Sequence, residues 1–295
     1  MATSIHQILT PESRLEKIAG GFRFTEGPVW NRKENALYFS DIPANRIYRW
    51  TPQTGPQIFR EPSGKSNGLT RDLQGRLIAC EHANRRVSRT EPDGSTLPLA
   101  DHYQGKRLNS PNDIVVRSDG SLFFTDPPYG LINESGVIVN QELPFQGVYR
   151  LSADGQTLAL LMDDFDRPNG LAFSPDESIL YIDDTSRMHI RAFDVSPAGN
   201  LSNGRVFATM QPDRPGAPDG MKVDVEGNVY CTGPGGVQIF DPQGHSLGCI
   251  ETPEVAANVA FGEADWRTLF ITARTSVYRV RLGIPGLPVP PRSQP

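Results

Sequence analysis

The sequence has few cysteines, and their spacing suggests no covalent or metal-bound framework. Three occur in 295 residues, Cys80, Cys231 and Cys249, an odd number without a CxxC pair. This pattern excludes a disulfide scaffold and a cysteine-based zinc site. Cys80 and Cys231 stand within runs typical of β-strands, so we expect them to be small buried hydrophobes and not catalytic thiols.

An excess of basic charge, long apolar runs and nucleophile motifs are also lacking. The chain carries 29 Lys and Arg against 34 Asp and Glu, and its basic residues are dispersed, so we expect no nucleic-acid partner. No apolar run approaches the ~20 residues of a membrane span, and Met1–Ser13 lacks the apolar core of a secretory signal. We therefore expect a cytoplasmic protein without membrane association. No GxSxG or P-loop motif occurs, and a hydrolytic triad is not supported.

The chain does contain a short sequence motif, which we call the phrase, that is repeated six times. In each copy an acidic or amide residue is followed by Gly, Asp or Val and then by an apolar run, and the intervals are 39 to 57 residues. The phrases begin at Glu26, Asn67, Asn112, Asn169, Asp219 and Asn258. Such a period indicates a repeat architecture.

Each phrase is followed, about eight or nine residues later, by a turn or break and a β-rich run. The breaks are at Asn35, Gly75, Gly120, Glu177, Gly227 and Trp266, and a third strand follows in most units. Units of about 40 to 45 residues with up to four strands are typical of propeller blades. The sequence therefore predicts an all-β fold, a six-bladed β-propeller with four-stranded blades around a central channel.

The repeated polar residue is expected to form a ring at one mouth of that channel, because innermost strands of successive blades line it. Glu26, Asn112, Asn169 and Asp219 offer two carboxylates and two amides, a set of oxygen donors that suits Ca²⁺ first and Mg²⁺ or Mn²⁺ next. Zn²⁺, which more commonly takes His or Cys, is the remaining alternative. Proline beside each of these four phrases stiffens the chain and favours ligation.

A simpler interpretation is a turn or a loop in which the polar side chain bonds its own backbone, since Asn-Gly and Asp-Gly are common turn signals. We favour the turn for Asn67 and Asn258, and metal ligation for the other four residues.

Loops that follow the second strand of each unit should overhang the same mouth. They supply the candidate wall residues Asp41, Glu81, His82, Asp126, Tyr129, Asp183, Asp184 and Arg274. His82 is a proton shuttle, a substrate contact or a structurally bonded histidine, and Tyr129 covers the pocket or packs within its loop. The Asp183–Asp184 pair is a second metal site or a solvated loop end, and we favour the loop end.

Five separated motifs together resemble the SMP-30/gluconolactonase family. They are Phe24–Trp30, Ser110–Asp113, Ser118–Pro127, Arg167–Leu171 and Pro218–Met221, and the resemblance covers about Leu15 to Val280. It implies a six-bladed propeller with a divalent metal in its channel and, in the best-known members, hydrolysis of sugar lactones.

Carried over by position, the resemblance implies metal ligation by Glu26, Asn169 and Asp219, with Asn112 as a further ligand or substrate contact. We expect Asp219 to act as general base, His82 to be the reserve for proton transfer, and Tyr129 and His82 to contact substrate. Some family members have an Arg where this chain has Ser110. Lys106, Arg107 and Arg274 are the candidates to replace it.

The expected organisation is an N-terminal extension at 1–13, one propeller domain at 14–282 and a Pro-rich tail at 283–295 that is disordered. Leu15–Ala19 is expected to close the propeller as the outer strand of the last blade, beside Val277–Val280. The expected partner is a small lactone, and no oligomeric state is predicted. Two alternatives remain: another ester or phosphotriester hydrolase on the same site, and a non-enzymatic propeller that binds proteins.

Overall fold

The computed structural model describes residues 3–291 of the chain, and nearly all of its regular structure is β-sheet. The helical elements are α1 (Ile5–Ile8) and a 3-10 turn at Tyr129–Leu131. Within the described range, no helix has the length and apolar character needed to cross a bilayer.

The strands are antiparallel and mostly five to seven residues long. In chain order they are β1 Glu16–Gly20, β2 Thr25–Asn31, β3 Ala36–Asp41, β4 Arg46–Thr51, β5 Gly55–Arg60, β6 Ser66–Arg71, β7 Leu77–Glu81, β8 Arg86–Thr90, β9 Thr96–Ala100, β10 His102–Tyr103, β11 Lys106–Arg107, β12 Ile114–Val116, β13 Leu122–Asp126, β14 Gln146–Leu151, β15 Leu158–Phe165, β16 Pro168–Phe173, β17 Ile179–Asp184, β18 His189–Val195, β19 Leu201–Thr209, β20 Met221–Val223, β21 Val229–Gly233, β22 Gly236–Phe240, β23 Ser246–Glu251, β24 Ala256–Gly262, β25 Thr268–Ala273 and β26 Ser276–Arg281.

These strands form six four-stranded sheets, so the predicted six-bladed propeller is confirmed. Five blades are consecutive in sequence, β2–β5, β6–β9, β12–β15, β16–β19 and β20–β23, and β10–β11 is a separate hairpin. The sixth blade has the order β1-β26-β25-β24. Glu16 lies opposite Arg279 and Gly20 opposite Ser276, so the N-terminal strand closes the ring of blades as expected.

The turn that joins the first two strands of each blade uses left-handed backbone. All six residues identified as breaks, Asn35, Gly75, Gly120, Glu177, Gly227 and Trp266, have φ between 49° and 86°. Glycine adopts this region without steric cost, and asparagine tolerates it. The blade-to-blade regularity of the sequence therefore reflects one backbone geometry repeated six times.

Apolar side chains between neighbouring blades form the core. At the closure, Trp30 of the first blade stacks on Phe270 of the last, with ring centroids 5.1 Å apart and an interplanar angle of 12°. Ile8 of α1 is fully buried in the same cluster. Burial of one such side chain contributes about 1.5–3 kcal/mol, so the N-terminal residues stabilise the junction beyond the pairing of β1.

Residues 283–291, which we call the tail segment, are ordered against the blades. Ile284 is 5% exposed, the Gly286 N–H donates to the Trp266 carbonyl at 2.8 Å, and the Leu287 N–H donates to the Val223 carbonyl at 3.1 Å. The expected disorder is therefore wrong for this segment, because its apolar residues find partners on inner strands. Residues 292–295 lie outside the described range.

Deletion of residues 1–20 is expected to lower the melting temperature by roughly 10 °C or more, because it removes β1 and the buried Ile8 and leaves β26 as an open edge. Thermal unfolding followed by circular dichroism measures this. Removal of residues 1–3 is the control, since Thr3 makes one exposed hydrogen bond to Glu226. An unchanged melting temperature after the longer deletion would reject closure by this strand.

Candidate functional site

The six phrase residues lie at the same end of the six innermost strands, where the strands are irregular. Glu26, Asn67, Asn169 and Asn258 are inside β2, β6, β16 and β24, and the pairing of each of these strands with its neighbour shifts register at the phrase. Such bulges re-aim side chains. The phrase is therefore the bulged start of an inner strand and not a hairpin turn.

Glycine follows several phrase residues because the next blade leaves no room for a side chain. A Cβ on Gly68 would lie 2.5 Å from the Asn112 carbonyl oxygen, and a Cβ on Gly170 would lie 2.0 Å from that of Asp219. The N–H groups of both glycines donate to those same carbonyls, at 2.7 and 2.8 Å. Adjacent inner strands are thus joined backbone to backbone at the channel mouth.

Side-chain hydrogen bonds link several of the phrase residues, and we call the six together the channel ring: Glu26, Asn67, Asn112, Asn169, Asp219 and Asn258. Asn67 Nδ2 donates to Asn112 Oδ1, and Asn112 Nδ2 donates to Asn169 Oδ1 at 2.9 Å. Asn258 Nδ2 donates to Glu26 Oε2 at 3.0 Å. The turn interpretation is wrong for Asn67, whose buried amide bonds across blades to Asn112. Asn258 also bonds across blades, but its Oδ1 accepts from the adjacent Val259 N–H at 2.8 Å, which is the backbone bond that the simpler interpretation expected.

Two acids of the channel ring, Glu26 and Asp219, lie close enough to affect each other's ionisation. Burial, followed by the charge of Asp113, raises the pKa of Glu26 to about 7, against hydrogen bonds from Gly27 and Asn258. Burial and then the charge of Glu26 raise the pKa of Asp219 well above its usual range. Like charges in a poorly solvated site disfavour ionisation of both groups.

The ring fits a hard cation by its chemistry. It presents two carboxylates that repel each other and several amide oxygens, of which Asn67 Oδ1 is buried without a hydrogen-bond partner. Oxygen donors of this kind are those that Ca²⁺ takes in proteins. In residues 3–291 no group of three His, Cys, Asp or Glu side chains is arranged for a metal, so a cation here would depend on the amides as well as on Glu26 and Asp219.

Two further carboxylates lie near the ring and were not assigned to it from the sequence. Asp113 Oδ2 accepts from Asn258 Nδ2 at 3.4 Å, and Asp183 is fully buried with Oδ1 unpartnered. Burial raises the pKa of both groups. The favoured interpretation of Asp183–Asp184 as a solvated loop end is wrong, because both side chains have no exposed surface.

Several acids that were expected to line the pocket instead hold the backbone that leads into a phrase. Asp41 accepts from the backbone N–H groups of Arg23 and Phe24, and Asp126 accepts from that of Asn109. Asp184 accepts from those of Asp166 and Arg167, and all five distances are 2.7 to 3.1 Å. These acids are at most 2% exposed. Glu81 is likewise occupied, by Arg60, Arg86 and Ser88. These hydrogen bonds fix the backbone that approaches the ring.

His82 lies beside the ring as a neutral imidazole. Its Nε2 is 3.4 Å from Asn67 Nδ2, and burial, followed by the charge of Lys65, lowers the pKa of His82 to about 4. A group with this pKa is uncharged at neutral pH and accepts a proton weakly. The geometry therefore favours hydrogen bonding over the reserve role in proton transfer.

Tyr129 has a buried hydroxyl that lies near Thr185 but makes no well-formed hydrogen bond to residues 3–291. Burial and the charge of Asp219 raise its pKa, which links the hydroxyl to the acidic side of the ring. The Arg167 guanidinium lies 5.5 Å from the centre of the Tyr129 ring. Arg167 was not singled out from the sequence, although its place two residues before Asn169 is a signal that could have found it.

The cations proposed to replace an arginine at Ser110 are not in the ring. Ser110 Oγ donates to the Pro127 carbonyl at 2.6 Å and accepts from the Gly130 N–H at 2.9 Å, so it holds the loop that carries Tyr129. Arg107 donates to the Asn84 carbonyl. Lys106 and Arg274 are exposed.

Comparison with known proteins identifies relatives over most of the chain. The family model described as SMP-30/gluconolactonase/LRE-like region matches residues 24–275. A gluconolactonase from Zymomonas mobilis is 37% identical over 299 aligned residues, which cover 93% of this chain and 83% of that protein. A pentonolactonase from Haloferax volcanii is 28% identical and covers 85% of this chain and 81% of its own length.

Solved structures agree with the architecture. A gluconolactonase from Xanthomonas campestris superposes with a TM-score of 0.88 at 37% identity, covering 95% of this chain and 94% of that one. Regucalcin from Agrobacterium tumefaciens, described as a calcium-binding protein, gives a TM-score of 0.79 at 17% identity, covering 96% and 98%. The second likeness shows the fold alone.

The stability of the cation-free protein should depend on Glu26. Because its pKa rises from 4.5 to about 7 on folding, the folded state binds this proton more tightly, and stability is lost as the pH rises through that window. Glu26→Gln removes this loss. In chelator, the free energy of unfolding of the variant minus that of wild type should increase by roughly 3 kcal/mol between pH 4.5 and pH 7.5. Urea unfolding measures it, and a difference that is constant with pH would contradict the assignment.

Proposed function

The chain belongs to the SMP-30/gluconolactonase/LRE-like family, and we propose that its channel ring is the active site of a sugar-lactone hydrolase that works with one divalent cation. The observation that carries the proposal is that the buried Asp219 is hydrogen-bonded by Asn169 and repelled by the charge of Glu26, each residue coming from a different blade. The family membership supplies the reaction class, and the ring supplies the groups for it.

Glu26, Asn169 and Asp219 would hold the cation, with Asn112 as a further ligand or a substrate contact. Ca²⁺ is the ion that the donor set favours, ahead of Mg²⁺ and Mn²⁺. When bound, such an ion supplies Lewis-acid polarisation of the lactone carbonyl. Its charge would also offset the repulsion between the two carboxylates, which the protein otherwise relieves by keeping them protonated.

Asp219 is the group we assign as proton acceptor. Hydrolysis adds water to the lactone carbonyl and breaks the ring ester bond, so the attacking water must lose a proton as it bonds to carbon. Without a cation the raised pKa keeps Asp219 protonated, and a protonated carboxyl cannot accept that proton. The pKa falls again when a cation neutralises the pair, and the balance of the two effects determines how strong a base Asp219 is.

The remaining groups are suited to bind a polyhydroxylated ring. The Tyr129 hydroxyl and Asn67 Oδ1 are both buried without partners, and His82 is neutral. A buried polar atom without a partner costs about 1–3 kcal/mol, and a substrate hydroxyl at these positions would recover that energy. Arg167, against the Tyr129 ring, adds a cation on the side where this chain has Ser110 in place of arginine.

Chelation is expected to abolish hydrolysis of D-glucono-1,5-lactone, and added Ca²⁺ is expected to restore it.

Asp219→Asn keeps the shape of the side chain but removes the base, so the rate should fall at least ~100-fold and not recover with added cation. A pH-stat assay measures both effects. Full activity in excess chelator after dialysis would reject the role of the cation. Parallel rates on an aryl ester and a phosphotriester distinguish the alternative hydrolases.

Tyr129→Phe should weaken binding of the lactone without destabilising the fold, because the lost hydroxyl makes no well-formed hydrogen bond to residues 3–291. We expect KM to rise about fivefold, which corresponds to ~1 kcal/mol, with an unchanged melting temperature. Tyr149→Phe is the matched control: its hydroxyl is also buried and unpartnered, and its ring stacks on Phe124 within a blade. Equal effects of the two substitutions on KM would reject a contact between Tyr129 and substrate.

A further inference from the structure

The inner strands continue past the channel ring into a second cavity, which we call the rear cavity. It has a volume of about 300 Å³ and is lined by residues that follow the phrase on all six inner strands. Lys222, for example, is three residues beyond Asp219, which corresponds to roughly 10 Å along a strand. The rear cavity therefore lies deeper in the channel than the ring, toward its other end.

The walls of the rear cavity are mainly apolar. They include Val29 and Trp30 of β2, Leu69 of β6, Ile114 of β12, Phe173 of β16 and Phe261 of β24. These residues have at most 7% of their surface exposed, so the walls are held by the packing of the blades. A polar sugar lactone would gain little here, whereas an apolar group of matching size would be removed from water.

The tail segment forms one side of the rear cavity. Leu287, Pro288, Val289 and Pro291 line it, and the Leu287 N–H is anchored to the Val223 carbonyl of β20. The segment therefore encloses a space that the blades alone would leave open. This turns the end of the channel into a cavity large enough, at the lower limit of ligand pockets, for a small molecule.

Two charged residues line the rear cavity, and they differ in how they are paired. Glu177 accepts hydrogen bonds from the Ser118 N–H and Oγ and lies 3.6 Å from Arg117. Lys222 Nζ makes one hydrogen bond within the described part of the chain, to the carbonyl of Met221 at 2.8 Å. An ammonium has three donors, so Lys222 retains the capacity to bind an anionic oxygen.

We propose that the rear cavity binds a small amphipathic carboxylate, with its apolar body among the walls and its carboxylate on Lys222. The apolar lining favours the apolar part of the ligand. The half-buried ammonium favours its carboxylate, because a charge-assisted hydrogen bond is strong where water is scarce. The Lys222 ammonium also lies near enough to Asp113, beside the channel ring, for the two charges to interact, so the two sites adjoin. The carboxylate site does not depend on the proposed lactone hydrolysis. Its ligand is a short fatty acid or an aryl carboxylate.

The test uses octanoate, octanol and octylamine as probes and the full-length protein. Calorimetry should show that octanoate binds more tightly than octanol and that octylamine binds more weakly than either. Lys222→Met keeps the length and apolar stem of the side chain, and it should weaken octanoate at least tenfold while octanol changes less than twofold. Lys222→Arg should retain octanoate.

Controls locate the ligand. Val289→Trp fills the rear cavity from the tail segment without altering a blade, and it should abolish binding of both octanoate and octanol. Octanoate should change the fluorescence of wild type, and Trp30→Phe should remove most of that change.

A chain that ends at Pro291 should bind octanoate as wild type does. If it binds tenfold more tightly, residues 292–295 are the occupant and the proposal fails.

Absence of octanoate binding at millimolar concentration, or equal binding by wild type and Lys222→Met, would overturn the proposal. Lactonase activity is not a readout in any of these measurements, so a failure here leaves the proposed function of the channel ring untouched.

Discussion

The inner strands of successive blades touch backbone to backbone at the mouth of the channel, and the rest of the site depends on that contact. A Cβ on Gly27 would lie 2.0 Å from the Asn67 carbonyl oxygen, and one on Gly220 would lie 1.9 Å from the Asn258 side chain. Only glycine permits this approach. Because the strands meet so closely, polar side chains from different blades reach hydrogen-bonding distance, and the ring is rigid before any ligand arrives.

Crowding of acids is the electrostatic consequence of this geometry. Glu26 and Asp219 are drawn together by the same contacts, and Asp113 and Asp183 lie close behind them. Burial makes each ionised carboxylate costly, so the cation-free protein keeps protons that a free carboxylate would lose. Carboxylates held this close together are suited to bind a divalent cation. A ring with only a structural role would be more stable if amides replaced the carboxylates.

The two ends of the inner strands have different surroundings, although the same strands build both. At the ring, Asp41, Asp126 and Asp184 accept hydrogen bonds from the backbone ahead of three of the phrases, which holds the polar end in register. At the other end the lining is apolar, and the tail segment encloses it. The same six inner strands therefore line both a polar site and an apolar cavity, and the side chains of the two sites differ in polarity.

The sequence by itself determined the architecture, because strand periodicity and the left-handed turn positions are local patterns repeated six times. It also placed the six phrase residues near one ring. Only the tertiary structure decided that Asn67 bonds across blades within that ring, that Arg167 lies on Tyr129, and that the tail segment is ordered. The physical reason is that an Asn-Gly phrase reads the same in a turn and in a contact between blades. Its role depends on which residue, some forty positions away, packs against it.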